Sequence, residues 1–155
     1  MGITIHYAGR AASEESIRRL FEDGSAVAKR FGWKARLPPQ EALRTEGLIF
    51  LPHESCEPLA FRFSRTRRFS DFCKTQFAGP EVHVQVLQFL EHIRPQLSKL
   101  VIYDEADDVR TDGQPCTLAE AFEITLNYIK AALAESPGSQ MQVRLPSGRI
   151  ADLVG

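Results

Sequence analysis

The stretch GLIFLPHESCEPLAFRFSRTRRFSDF, residues 47–72, decides the fold class. Apolar residues recur in three short runs, at residues 47–51, 59–63 and 67–72, and such runs bounded by turn residues predict β-strands. A loop rich in turn residues, at 52–58, separates the first two runs, and a predicted hairpin tip at 64–66 separates the last two. Strands joined by links this short pair antiparallel, so the stretch predicts an antiparallel meander.

Three amphipathic segments predict helices that pack on this meander. Ser13 suits the N-cap of the first helix, Pro80 the first turn of the second, and Thr117 with Glu120 forms a capping box for the third. Further short strands are predicted at residues 3–7, 33–37 and 100–103. Strands and helices alternate without regular βαβ units, which predicts an α+β fold: two layers, with a mostly antiparallel sheet and about three helices packed on it.

Length and composition favour one globular domain. The chain has 155 residues, of which 43% are hydrophobic and 25% charged, and this predicts a single α+β domain over 1–155, with a terminal hairpin or tail at about 139–155. No apolar run approaches a membrane span, and the N-terminus reads as a strand instead of a signal peptide. The three cysteines lack Cys-x-x-Cys spacing, so a reduced, cytoplasmic protein is expected.

Strand direction predicts where a site would lie. If each element crosses the sheet once, the loop at 52–58, the link at 73–79 and the end of the strand at 100–103 share one end of the sheet. The second helix also begins there, and a helix N-terminus favours anions. The candidate ligand-binding residues at that end are His53, Cys56, Glu57, Lys74, Thr75, Gln76, His83, Asp104 and Glu105.

Most of these residues also have ordinary structural interpretations. His53 suits a turn, and His83 suits a partly buried position with a backbone partner. Cys56 is the best nucleophile candidate among the cysteines, although no catalytic signature surrounds it. The carboxylates could act as acid and base or bind a hard metal, yet no metal-binding motif occurs, so no metal site is assigned.

A basic run at residues 62–68 is interleaved with phenylalanines. This pattern is found in nucleic-acid platforms. Strand alternation explains it more simply, with phenylalanines inward and arginines at a solvated edge. The formal net charge is −1, which also argues against a nucleic-acid partner.

Two segments resemble a family of uncharacterised bacterial proteins. They are the PHxxCEPL segment at residues 52–59 and the KTQFAGPEVH segment at 74–83, followed by an acidic pair after a strand. The resemblance spans about residues 47–108. It implies a bacterial, cytoplasmic protein and carries over no catalytic residue.

The favoured function is therefore a small binding or regulatory module with its site at one end of the sheet. Its ligand is a small molecule or a protein partner, a homo-oligomer is compatible with the sequence, and a membrane partner is not expected. The alternative is a small enzyme, such as a metal-dependent hydrolase, that uses the His/Glu/Lys/Asp cluster at that end. The sequence indicates no particular cofactor.

Overall fold

A computed structural model describes residues 3–42, 44–107, 117–135, 142–144 and 150–152. The chain forms two compact units, one of residues Ile5–Tyr103 and one that combines Met1–Thr4 with Asp104–Gly155. The single-domain assignment over 1–155 stays a prediction. Among the described residues, no helix has both the length and the apolar character needed to cross a membrane.

The described residues of the larger unit form six strands and two α-helices. The first residue of β1, Thr4, and the last residue of β6, Asp104, are assigned to the other unit. The strands form two small antiparallel sheets, ordered β5-β1-β6 and β2-β3-β4. This confirms the α+β fold class. The elements are β1 (Thr4–Ala11), α1 (Glu14–Arg30), β2 (Lys34–Arg36), β3 (Leu48–Leu51), β4 (Leu59–Phe61), β5 (Arg68–Lys74), α2 (Pro80–Ile93) and β6 (Leu97–Asp104), with 3-10 turns at Gln40–Ala42 and Arg94–Gln96.

Both helix starts in this unit follow the sequence signals. The Ser13 hydroxyl accepts the Ser16 N–H at 3.1 Å, which satisfies one of the free donors at the start of α1. Pro80 occupies the first turn of α2. Pro95 ends that helix because proline cannot donate an interior backbone hydrogen bond, and the chain continues as the Arg94–Gln96 turn.

The link after β5 is shorter than the sequence predicted. Cys73 and Lys74 belong to the strand instead of an irregular segment. Side chains alternate between the two faces of a strand, and the Cys73 side chain is buried on the same face of β5 as that of Phe69. This burial extends the strand to Cys73 and Lys74.

Phe50 on β3 lies at the centre of the core. Its ring centroid lies 4.7 Å from that of Phe89 on α2 and 6.1 Å from those of Phe21 and Phe61. A Cβ at Gly24 would approach the Phe50 ring to 2.8 Å. Helix α1 therefore packs closely on the β2-β3-β4 sheet because a glycine faces that ring.

Tyr7 joins the two sheets. Its hydroxyl donates to the Ala60 carbonyl at 3.0 Å and accepts the Ala60 N–H at 2.8 Å. One phenol thus satisfies both backbone groups of a residue on β4. Burial is the main reason that the pKa of Tyr7 is raised, so the phenol stays protonated and able to donate.

We expect Tyr7→Phe to lower the free energy of unfolding by about 2 kcal/mol, because both buried backbone groups of Ala60 lose their partner. Urea denaturation of the full chain measures this loss. Tyr128→Phe is the matched control, since Tyr128 is 44% exposed and its change is expected to stay within about 0.5 kcal/mol. Equal stability of Tyr7→Phe and wild type would contradict the role given to this hydroxyl.

The smaller unit contains α3 (Leu118–Glu135) and an antiparallel hairpin of β7 (Gln142–Arg144) and β8 (Ile150–Asp152). This agrees with the predicted third helix and terminal strands. The Thr117 N–H donates to the Glu120 carboxylate at 2.6 Å, and the Glu120 N–H to the Thr117 hydroxyl at 3.3 Å, as expected for a capping box. Phe122 packs with Ile3 and Ala106 in a small core.

Candidate functional site

The loop at 52–58 meets the end of β5 through Glu57. The Lys74 N–H donates to the Glu57 carboxylate at 3.1 Å, and the Cys73 thiol donates to the Glu57 carbonyl at 3.1 Å. Cys56 also packs against the hydrophobic core cluster that contains Cys73. Two segments of the predicted site therefore lie together.

Three further predicted site residues are buried beside the start of α2. The Thr75 hydroxyl and His83 Nδ1 are 2.7 Å apart, and both residues are fully buried. Gln76 is also buried, and within the described part of the chain neither its Nε2 nor its Oε1 has a hydrogen-bond partner. The His83 ring thus has a structural partner in Thr75, whereas the Gln76 amide forms no hydrogen bond with a described residue.

The other predicted residues have local contacts. His53 is exposed, and its Nδ1 accepts the Ser55 N–H at 3.0 Å, which stabilises the loop turn. Asp104 accepts the Ala106 N–H at 2.9 Å at the start of a short helical turn. Asp104 and Glu105 belong to the smaller unit, so their meeting with Glu57 and Lys74 stays a prediction.

Within the described ranges, no group of three or more His, Cys, Asp or Glu side chains could hold a metal ion. Two cavities lie away from the predicted site. One, of about 590 Å³, lies beside α1 and includes Phe21, Leu37 and Leu48 in its lining. The other, of about 790 Å³, lies on the β5-β1-β6 sheet. The hydrolase alternative therefore gains no metal centre from the described residues.

The outer face of the β5-β1-β6 sheet carries three rows of side chains, each running across the strands. We call the row at one end the aromatic row. Its central ring, His6, lies 5.9 Å from Phe72 and 5.8 Å from Tyr103 between ring centroids. Phe72 and Tyr103 are 44% and 46% exposed. The middle row consists of Ser70, Ala8 and Val101.

The row at the other end, the basic row, consists of Arg68, Arg10 and Lys99. All three line the 790 Å³ groove, together with Arg62. Arg62 pairs with Asp71 at 2.6 Å, whereas none of the basic-row cations forms an ion pair with any residue that the structure describes. The groove therefore presents uncompensated positive charge.

Because Gly9 has no side chain, β1 can approach its neighbouring strands closely at this groove. A Cβ at position 9 would lie 2.4 Å from the Lys99 carbonyl oxygen and 2.7 Å from the Phe69 ring. Any larger residue would push β1 away from its neighbours. The close approach of the strands, and with it the spacing of the basic row, depends on this glycine.

Charge is divided unevenly along the chain. Residues Ile5–Tyr103 contain 15 lysines and arginines against 11 aspartates and glutamates, a net charge of +4. The whole chain has 19 against 20, so the remaining residues carry 4 against 9, or −5. The near-neutral net charge of the whole chain conceals this division. The larger unit is positively charged, so its net charge does not oppose an anionic ligand.

Sequence reasoning missed this face because its residues come from three distant strands. The arginine-rich hairpin was recognised, but Arg10 and Lys99 join it only through the sheet order. One local signal was present: Phe72, Val101 and Tyr103 are large apolar residues at the outward positions of their strands.

Comparison with known proteins does not assign the chain to a family. No protein-family model matches it, and searches of curated proteins and of solved structures find no similar protein or fold. The resemblance carried by the segments at 52–59 and 74–83 stays a prediction.

Proposed function

We propose that this protein is a small binding module whose ligand, a single-stranded nucleic acid, lies across the outer face of the β5-β1-β6 sheet. The proposed site lies on the outer face of the sheet, whereas the sequence predicted a site at one end of the sheet. The bacterial, cytoplasmic setting expected from the sequence belongs to the same proposal.

The observation that carries this proposal is the aromatic row. Exposure of aromatic rings to water is unfavourable, and burial of these rings under flat, apolar groups is favourable. Nucleic-acid bases are such groups, and they stack on exposed aromatic side chains in sheet-based single-strand binders. Phe72 and Tyr103 offer exposed rings for this purpose, on either side of the partly buried His6.

The basic row supplies the second half of the recognition. It lies four residues along each strand from the aromatic row, about 13 Å away at the usual rise per residue. Phosphates next to the stacked nucleotides can reach these cations, and backbone phosphates supply much of the affinity for nucleic acids. Base stacking and phosphate contacts on one face distinguish this ligand from a neutral small molecule or an apolar protein surface.

The stacking half is tested by anisotropy of labelled oligouridine and oligothymidine, about 12 nucleotides long, at low salt. The Phe72→Ala, Tyr103→Ala double variant is expected to bind about 30-fold more weakly, because base–aromatic stacking contributes about 1–3 kcal/mol per base. Tyr128→Ala, which removes an exposed ring from α3, is the matched control and should bind as wild type does. No binding by wild type, or equal loss in the control, would overturn the proposal.

The phosphate half is tested by salt dependence. Changing Arg10, Arg68 and Lys99 to glutamine is expected to lower the slope of log affinity against log salt by about 2, since each phosphate contact on a single strand contributes about 0.7. Arg18→Gln is the control, because Arg18 is paired with Glu15 and Glu22 on α1. A slope that the triple variant leaves unchanged would remove the basic row from the site.

A further inference from the structure

We propose that Cys56 and Cys73 form a peroxide-responsive dithiol, in which Cys56 is the residue oxidised first and Cys73 closes a disulfide with it. The proposal is independent of the nucleic-acid site, because it concerns the loop at 52–58 and the inner face of β5. Both cysteines are free thiols in the structure.

The first support is the way the two thiols are held. They come from different segments, 17 residues apart, and Cys56 packs against the hydrophobic core cluster that contains Cys73. Glu57, the residue after Cys56, is fixed to β5 by bonds from the Cys73 thiol and the Lys74 N–H, both 3.1 Å long. The two sulfur atoms are therefore held near each other by the native fold.

The second support is the difference between the two sulfur environments. Cys56 is partly exposed, whereas Cys73 is fully buried. Interaction with the Cys73 side chain lowers the pKa of Cys56, whose thiol lies 3.5 Å from the His53 carbonyl oxygen. The same interaction, followed by burial, raises the pKa of Cys73. The accessible sulfur is thus the one more easily converted to the reactive thiolate.

The reaction has two balanced steps. The Cys56 thiolate attacks one oxygen of hydrogen peroxide, the O–O bond breaks, and the departing hydroxide takes a proton to leave as water, which gives a sulfenic acid on Cys56. The Cys73 sulfur then attacks the Cys56 sulfur, the S–O bond breaks, and a second water leaves with the Cys73 proton. Two thiols and one peroxide become one disulfide and two waters, and an external dithiol reverses the change through a mixed disulfide at Cys56.

The experiment uses the full chain in a Cys116→Ser background, which removes the third cysteine. After treatment with hydrogen peroxide, the intact mass should fall by two hydrogen atoms, and peptide mapping without reductant should find Cys56 linked to Cys73. Reduction with dithiothreitol should restore both thiols. A chain that keeps both thiols, or that gains oxygen without forming the link, overturns the proposal.

Two single variants separate the roles of the sulfurs. Cys73→Ser should accumulate sulfenic acid at Cys56 that a dimedone-type probe labels, whereas Cys56→Ser should leave Cys73 unoxidised under the same treatment. If Cys73→Ser does not fold, the wild-type link and the Cys56→Ser variant still decide the matter. Equal oxidation of the remaining cysteine in both variants would contradict the assigned order.

Discussion

Phe89→Ala is expected to lower the free energy of unfolding by about 4 kcal/mol, as for other large aromatic truncations in cores. Phe89 is fully buried on α2, and its ring lies 4.7 Å from Phe50, 5.4 Å from Trp33 and 6.4 Å from Phe61 between centroids. Alanine would leave a cavity where the helix meets β3 and β4. Urea denaturation of the full chain, followed by circular dichroism, measures the loss.

The control for this variant is Phe77→Ala, which removes the same ring from a position that is 43% exposed. Its expected cost is below about 0.5 kcal/mol. Phe89→Leu, with an expected loss of about 1.5 kcal/mol, keeps the comparison possible if the alanine variant is too unstable to purify. Similar losses for positions 89 and 77 would show that Phe89 is not central to the core.

Gly47→Ala is expected to lower the free energy of unfolding by about 3 kcal/mol. Gly47 has a φ of 73°, which costs an L-residue about 1–2 kcal/mol. A Cβ there would also lie 2.6 Å from the Phe61 carbonyl oxygen. Because Leu48 pairs with Phe61 across the β3–β4 ladder, relief of this clash requires the strands to shift, and overpacking of this kind costs about a further 1–3 kcal/mol.

Gly32→Ala separates these two causes. Gly32 has nearly the same φ, 75°, but nothing lies within 4 Å of a Cβ built there. Gly32→Ala should lower the free energy of unfolding only by the conformational cost of the positive φ, about 1 kcal/mol. Thermal and urea unfolding of both variants give the comparison, and equal losses would mean that the contact with Phe61 carries no cost.

The helix boundaries could be predicted because the signals that set them are local. Ser13 contacts a backbone group three residues away, Pro80 and Pro95 act on their own helix, and Thr117 pairs with Glu120. Propensity and capping operate over one turn, so a single sequence contains them. Strand ends were less accurate, as at Cys73 and Lys74, because strand length depends on partners distant in sequence.

The candidate sites depend on contacts that no local pattern encodes. His6, Phe72 and Tyr103 become neighbours only because β1 lies between β5 and β6. The Cys56–Cys73 contact has no characteristic spacing either, although counting strand directions brought their two segments to one end of the sheet. Local alternation could show that a residue faces outward, but not which residues of other strands share that face.

The position of β1 also bears on how the chain folds during synthesis. This strand is synthesised well before its two neighbours, which begin at Arg68 and Leu97. One edge of β1 stays without its native partner until β5 has been made, through Lys74, and the other until β6 has been made, through Asp104. Such distant pairing makes folding slow and leaves strand edges open to other nascent chains, so β1 is the strand of this sheet that would need a chaperone's protection longest.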